Sequence, residues 1–482
     1  MSPTVFADLA LDGASATPLY RQIYGRIAGA VLDGRLAPGA RLPSARSLAA
    51  QLSIARGTVE TAYQLLAGEG YIVARGAAGT LVAPALDRAL LKSDGAAWPD
   101  RAPMASPVSG MSVGPPALFR MGLPALDAFP HKVWSRLFAR QARALGPADL
   151  AYQSPAGHEA LRVQVARYLA VARGVSCAPE QVLITGGFQG ALGLVVRSLL
   201  HPGDVAWVED PGYDNARNGL QLAGARVVGV PVDHDGFDVR HAVETAPPAR
   251  LAVVTPTHQA PLTVTLSLPR RMALLAWAAA ADAWIVEDDY DSEYRYLGKP
   301  LPALKSLDRH DRVLFVGSFS KILSPGLRCG YLVVPPSLVD RFVAVADLLQ
   351  PPPAALIQAT IAAFLEQGYL GRHIRRMRQL YGERRAALTA ALREQVGFLD
   401  IELQPGGMHL VARLPQGADD IKLVGDLFRQ GVGPSPLSAW GVDAPYAPGL
   451  LISFTNVDVR KAAQAARRLA DALKGAERRW SA

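Results

Sequence analysis

The chain has 482 residues and is half hydrophobic, which is more than one core holds and excludes a wholly disordered protein. Its formal charge of +8 and pI of about 9.5 favour a polyanionic partner. Cys177 and Cys329 are the only cysteines, which excludes a disulfide framework and any Cys-x-x-Cys motif, so no metal site is expected.

Residues 1–13 lack the basic start and apolar stretch of a signal peptide, and a reducing cytoplasm is the expected location. Residues 18–31 then put Leu19, Ile23, Ile27 and Ala30 on one helical face. Residues 34–39 read as a turn, and Ser44 as the N-cap of a second helix with Leu48 and Leu52 on its buried side. After a break at Ser53-Ile54-Ala55, residues 56–66 make a third helix, and residues 70–73 with 79–82 read as a two-stranded wing. Three helices and a hairpin make a mostly α winged helix-turn-helix over residues 1–84. Leu42-Pro43-Ser44-Ala45-Arg46-Ser47-Leu48-Ala49, then Arg56-Gly57-Thr58-Val59, Ala62-Tyr63 and Glu69-Gly70-Tyr71, resemble the GntR-type DNA-binding domain. The resemblance implies a double-stranded DNA operator touched by Ser44, Arg46, Arg56 and Thr58, with Arg75 and Gly79 as groove contacts from the wing. Arg56 would open the recognition helix, whose first residues reach base edges. Gly57 departs from the polar residue usual there. Seven arginines against five acids leave this segment only weakly basic.

Residues 85–116 are rich in Pro, Gly, Ser and Ala without periodicity and read as a tether, with Trp98 free to dock. Residues 117–482 alternate strands and helices. Trp134, Leu137, Phe138 and Leu145 mark a core-facing helix. The strand Val182-Leu183-Ile184-Thr185 runs into Gly186-Gly187-Phe188, a helix start whose free amides suit a phosphate. Further strands are expected at Val205-Ala206-Trp207-Val208, at residues 251–254, at Trp284-Ile285-Val286 and at Val313-Leu314-Phe315-Val316. The longest apolar run, residues 272–281, is too short to span a bilayer. Leu370, Ile374, Met377 and Tyr381 form a buried helical stripe, opposite Arg372, Arg375, Arg376, Arg384 and Arg385, which read as a solvated or salt-bridged face. Strands near Ile401, His409 and Leu450 complete a smaller domain.

The run at 284–286 stops at Glu287-Asp288-Asp289-Tyr290, as a buried parallel strand does when it delivers polar groups to the carboxyl edge of an open sheet. The next strand leads to Ser318-Phe319-Ser320-Lys321 and Arg328-Cys329-Gly330-Tyr331. Lysine condenses with an aldehyde, and pyridoxal 5'-phosphate needs a Schiff-base lysine and an acidic partner for its ring nitrogen. These two stretches resemble the aminotransferase-like domain of MocR-type regulators, and the resemblance runs over nearly the whole chain. It implies an α/β fold-type I domain in which Lys321 carries the cofactor, Asp288 meets the ring nitrogen and Tyr290 the phenolic oxygen. Ser318, Ser320, Arg328, Gly187 and Phe188 would take the phosphate, Tyr213 would stack on the ring, and Tyr152 would reach across a homodimer. His258 and Gln259 match the His-Gln of that family and are further pocket candidates, although Ala260 and Leu262-Thr263 depart from the rest of its pattern.

The expected function is a transcriptional regulator that senses pyridoxal phosphate or a small amine and controls vitamin B6 or amine metabolism. A working aminotransferase with an attached DNA-binding module is the alternative. Aminotransferases of this fold grip a substrate carboxylate with an arginine just before the last strand's Leu-x-Phe pattern; aligned on Ser453-Phe454, that position is Leu451, with Arg413 as another donor within reach of a small shift in alignment.

Overall fold

The computed structural model describes residues 11–84 and 117–480, apart from residues 14, 77, 78, 299, 300, 350, 398, 443 and 444. The expected tether and Trp98 lie outside the described residues. The chain divides into two compact units, Met1–Ser106 and Pro107–Ala482.

In the first unit, helix α1 (Leu19–Leu32) buries Ile23, Ile27, Ala30 and Val31 along one stripe. Helix α2 (Ala45–Leu52) begins where the Ser44 hydroxyl accepts the Ser47 amide at 3.1 Å, satisfying a donor that a helix start leaves open. It ends at Ser53, which takes a left-handed φ of 54°. Helix α3 (Arg56–Gly68) adds Val59, Ala62 and Leu66 to the same core, and the Tyr63 hydroxyl donates to the Pro43 carbonyl at 2.9 Å. Full burial of an Ile, Leu or Val side chain stabilises by about 1.5–3 kcal/mol, so Ile23, Leu48, Val59 and Leu66 anchor this small core.

The wing strands β1 (Ile72–Ala74) and β2 (Thr80–Val82) pair antiparallel. A third extended segment joins them. Arg41 bridges Leu81, the Leu42 amide donates to Thr80 at 2.9 Å, and the Val82 amide to Ala40 at 2.8 Å. Three residues between Gly39 and Pro43 are too few to show strand alternation, which is why the wing reads as two-stranded from sequence.

The second unit is built on an eight-stranded sheet: β3 (Val182–Thr185), β4 (Val205–Asp210), β5 (Arg226–Asp233), β6 (Gly236–Phe237), β7 (Leu251–Val254), β8 (Trp284–Asp289), β9 (Val313–Ser318) and β10 (Gly330–Val333). The order is β3-β10-β9-β8-β7-β4-β5-β6. The central strands β9, β8, β7, β4 and β5 are parallel, and β10 lies antiparallel between β3 and β9. Residues on β7, β8 and β9 are buried on both faces, which accounts for their continuous apolar runs. Close packing is strict at Gly317, where a Cβ would stand 2.2 Å from the Tyr331 ring. A second, antiparallel sheet takes β11 (Asp400–Glu402), β12 (His409–Arg413), β14 (Gly449–Ser453) and β13 (Ser435–Pro436), in that order.

The arginine face of the long helix Tyr369–Gln395 departs from expectation at one position. Arg384 is buried, donating to the Asp127 carboxylate and the Thr455 carbonyl. Arg372 and Arg385 lie over the Tyr369 and Tyr296 rings, at 4.4 and 4.6 Å from their centroids. Among the described residues no helix is long and apolar enough to cross a membrane.

Candidate functional site

The parallel strands of the large sheet end on one edge, and the residues singled out by sequence gather there. Asp288 is the penultimate residue of β8, and Ser318 the last of β9, directly beside Gly330 of β10, which also faces Thr185 of β3. From Thr185 the chain turns through Gly187, at φ 88°, into helix α4 (Phe188–Leu199), leaving the first amides of that helix without helical partners. Arg328 closes this corner. It takes a left-handed φ of 47°, its Nη2 donates to the Gly186 carbonyl at 2.8 Å, and a Cβ on Gly187 would lie 3.8 Å from it. A guanidinium beside open helix amides is a suitable cradle for a phosphate. The Ser318 hydroxyl accepts the Ser320 amide at 3.1 Å and shapes the turn that presents Lys321.

Lys321 is partly buried, and its Nζ donates to the Gly122 carbonyl at 2.7 Å. Burial pushes its ammonium pKa down, against the pull of Asp288 and Asp291. At the end of β8 the Asp288 Oδ1 and the Tyr290 hydroxyl are buried without a partner, as is Asp291 Oδ2 just beyond. Burial, reinforced by neighbouring Asp289, holds the Asp288 carboxyl well above the usual range, while Lys321 pulls it back. A buried acceptor left open is costly, and a cationic ring N–H is the kind of group that would satisfy Asp288 and return it to its charged form. The donor set therefore fits pyridoxal phosphate: an amine, a carboxylate, a phenol and an anion cradle on one sheet edge.

Tyr213 caps helix α5 (Asp214–Leu222). Its ring is 5.5 Å from Phe188 and 6.2 Å from Trp440, and its hydroxyl accepts the Asn215 side-chain amide at 2.8 Å. Tyr152 stands apart, fully exposed at 106% and touching none of these groups. Gln259 is buried, donating to Glu209 and to the Pro211 and Ala260 carbonyls. His258 is also buried, its Nδ1 2.8 Å from Asp291 and its Nε2 packed against Gly406.

Leu451 is fully buried in an apolar cluster with Val232, Leu262, Val411 and Leu437, and Met121, Trp440 and Tyr446 pack against it. Arg413 is engaged elsewhere, 3.0 Å from Glu402 and 5.7 Å from the Tyr446 ring centroid. Sequence reading missed Arg173. Its guanidinium grips both Asp289 oxygens at 2.7 and 3.2 Å and also donates to Thr257 and Leu301. A lone arginine after a helix carries no local signal of such a role.

In the first unit, Ser44 serves as a helix cap, Arg46 sits exposed in the first turn of α2, and Thr58 lies in the first turn of α3. Arg56 donates to Glu60 at 2.7 Å.

Residues 19–82 match the family model described as bacterial regulatory proteins of the gntR family, and residues 127–469 match aminotransferase class I and II. The chain is 39% identical to the probable rhizopine catabolism regulatory protein MocR of Rhizobium meliloti, over 93% of this chain and 92% of that protein. The chain belongs to the MocR-type GntR regulators. A second member, the pyridoxine biosynthesis transcriptional regulator PdxR of Corynebacterium glutamicum, is 34% identical over 94% of this chain and 96% of its own. The aminotransferase-like part of this MocR-type chain is similar to LysN, an α-aminoadipate aminotransferase from Thermus thermophilus solved with N-(5'-phosphopyridoxyl)-L-leucine. That structure superposes with a TM-score of 0.69 at 30% identity, covering 74% of this chain and 92% of LysN. The chain is thus a DNA-binding, helix-turn-helix transcriptional regulator whose later residues carry an aminotransferase-like domain.

Proposed function

We propose that this regulator holds pyridoxal 5'-phosphate at Lys321 and uses it, in preference to an α-amino acid, as its signal. The observation that carries the reading is the pair of buried, unpartnered atoms at the end of β8, Asp288 Oδ1 and the Tyr290 hydroxyl, with the partly buried Lys321 near enough to pull on the Asp288 carboxyl. When bound, the cofactor supplies an aldehyde and an electron-poor ring. Lys321 Nζ, eased toward its neutral form by burial, forms the covalent attachment. Asp288 holds the proton on the ring nitrogen and Tyr290 donates to the phenolic oxygen. Arg328, Ser318, Ser320 and the amides at Gly187 and Phe188 orient the phosphate, and Tyr213 covers the ring. Tyr152, exposed in one copy, would complete the site of a second in a homodimer. The operator would be met by Ser44, Arg46, Arg56 and Thr58, with Gly79 shaping the wing and two copies engaging repeated half-sites.

Leu451 weighs against the rival reading of a working aminotransferase. A leucine offers no donor, so an amino acid's carboxylate would be poorly paired in a dry pocket, at a cost of about 1–3 kcal/mol. Relatives named for pyridoxine biosynthesis and rhizopine catabolism support control of vitamin B6 or amine metabolism. The test is to load the protein with pyridoxal phosphate, titrate the common amino acids and follow the absorbance of the bound cofactor. The spectrum is expected to hold steady; rapid conversion to the amine form of the cofactor by any amino acid would favour the enzyme reading.

A further inference from the structure

The seven arginines of the DNA-binding unit are divided by their ion pairs. Arg35 lies 3.2 Å from Asp33, and Arg56 lies 2.7 Å from Glu60, which partly neutralises the start of α3. Among the described residues Arg21, Arg41, Arg46 and Arg75 form no ion pair. Two of these four belong to the wing. Arg41 is exposed on the third wing strand, opposite Leu81, and its guanidinium lies along Gly79, where a Cβ would stand 3.1 Å from Nε and 3.3 Å from Nη2. The exposed Arg75 donates its amide to the Gly79 carbonyl at 2.9 Å. Gly79 itself has a φ of 83°, so any side chain there is strained as well as crowded. The wing therefore seats one guanidinium, that of Arg41, in the space that a glycine leaves, with no acidic partner among the described residues. A positioned, exposed cation without an acidic partner is suited to an anion, and the phosphates of a duplex supply one at regular spacing.

We propose that Arg41 is a DNA-phosphate contact and that Gly79 contributes to operator binding by seating Arg41. This rests on DNA binding by the first unit and is independent of the cofactor reading. The test uses full-length protein loaded with pyridoxal phosphate and two duplexes: one selected by the parent from a random pool, and a scrambled duplex of equal length. Fluorescence anisotropy is recorded across salt concentrations. Arg41→Ala is expected to weaken both duplexes about tenfold at physiological salt and to lower the slope of log affinity against log salt by about one per half-site, whereas Arg41→Lys keeps the slope. Gly79→Ala should weaken binding too, and the double variant should bind no worse than the weaker single. An unchanged slope in Arg41→Ala, or additive losses in the double variant, would overturn the proposal. Arg41 is exposed, so Arg41→Ala is expected to melt with the parent, and its slope alone decides if Gly79→Ala misfolds.

Discussion

Asp288→Ala is expected to lower the affinity for pyridoxal 5'-phosphate by about 10- to 100-fold, the loss that follows from removing one hydrogen bond to a charged group. The carboxyl sits at the end of β8 with Oδ1 unpartnered, and both burial and Asp289 oppose its ionisation. Only a cationic N–H at that spot repays the cost of keeping a carboxylate there. Tyr290→Phe removes a neutral donor and should cost several-fold less. Equilibrium dialysis of the two variants against the parent measures both effects. Equal retention by Asp288→Ala and the parent would remove Asp288 from the site, and with it the argument that the sheet edge is built for a protonated ring.

Arg173→Leu is expected to destabilise the second unit by about 3–5 kcal/mol, the cost of stranding a buried charge when its partner is deleted. Burial alone would lower the guanidinium's pKa, but Asp289, Glu287 and Glu293 around it raise it above the ordinary value. Without it Asp289 keeps only the Ser292 hydroxyl, at 3.0 Å. Arg173→Lys keeps the charge but not the fork to both oxygens, and should fall between the two. Chemical denaturation followed by tryptophan fluorescence reads the change as a lower midpoint; a shift worth under 1 kcal/mol would mean that the pair contributes little. Because Asp289 adjoins Asp288, the leucine variant should also bind the cofactor less well.

The parts of this account that were legible in the sequence are those whose causes are local. Ser44 caps its helix through its own next turn, and the runs at residues 251–254 and 313–316 are apolar throughout because both faces of their strands are covered. The stretch from Asp288 to Arg328 is legible for a related reason: adjacent parallel strands bring their ends together without help from distant chain. What sequence left hidden depends on partners far away. The acceptor for Lys321 is a carbonyl 199 residues upstream, and the carboxylate that receives buried Arg384 is Asp127, 257 residues earlier. On a helical wheel Arg384, three residues beyond Tyr381, falls on the same stripe as Leu370, Ile374, Met377 and Tyr381, so the receiving carboxylate, and not the inward direction, is what the local sequence conceals. Strand β10 is four residues long and was read only as part of a motif, while β5 carries Pro231 and ends on an antiparallel edge partner. Trp440 reaches Tyr213 from more than two hundred residues away, at a ring separation of 6.2 Å.

A ligand regulates only through a difference in its affinity for two states of the protein, so the central claim is tested by operator affinity as a function of cofactor. Anisotropy of a duplex selected by the parent would be measured while pyridoxal 5'-phosphate is titrated into cofactor-free parent and into Lys321→Ala. The account predicts that affinity changes by about tenfold in the parent, equivalent to a coupling of about 1.4 kcal/mol, and stays flat in Lys321→Ala. Operator binding indifferent to the cofactor in the parent, or an equal response from Lys321→Ala, would contradict it.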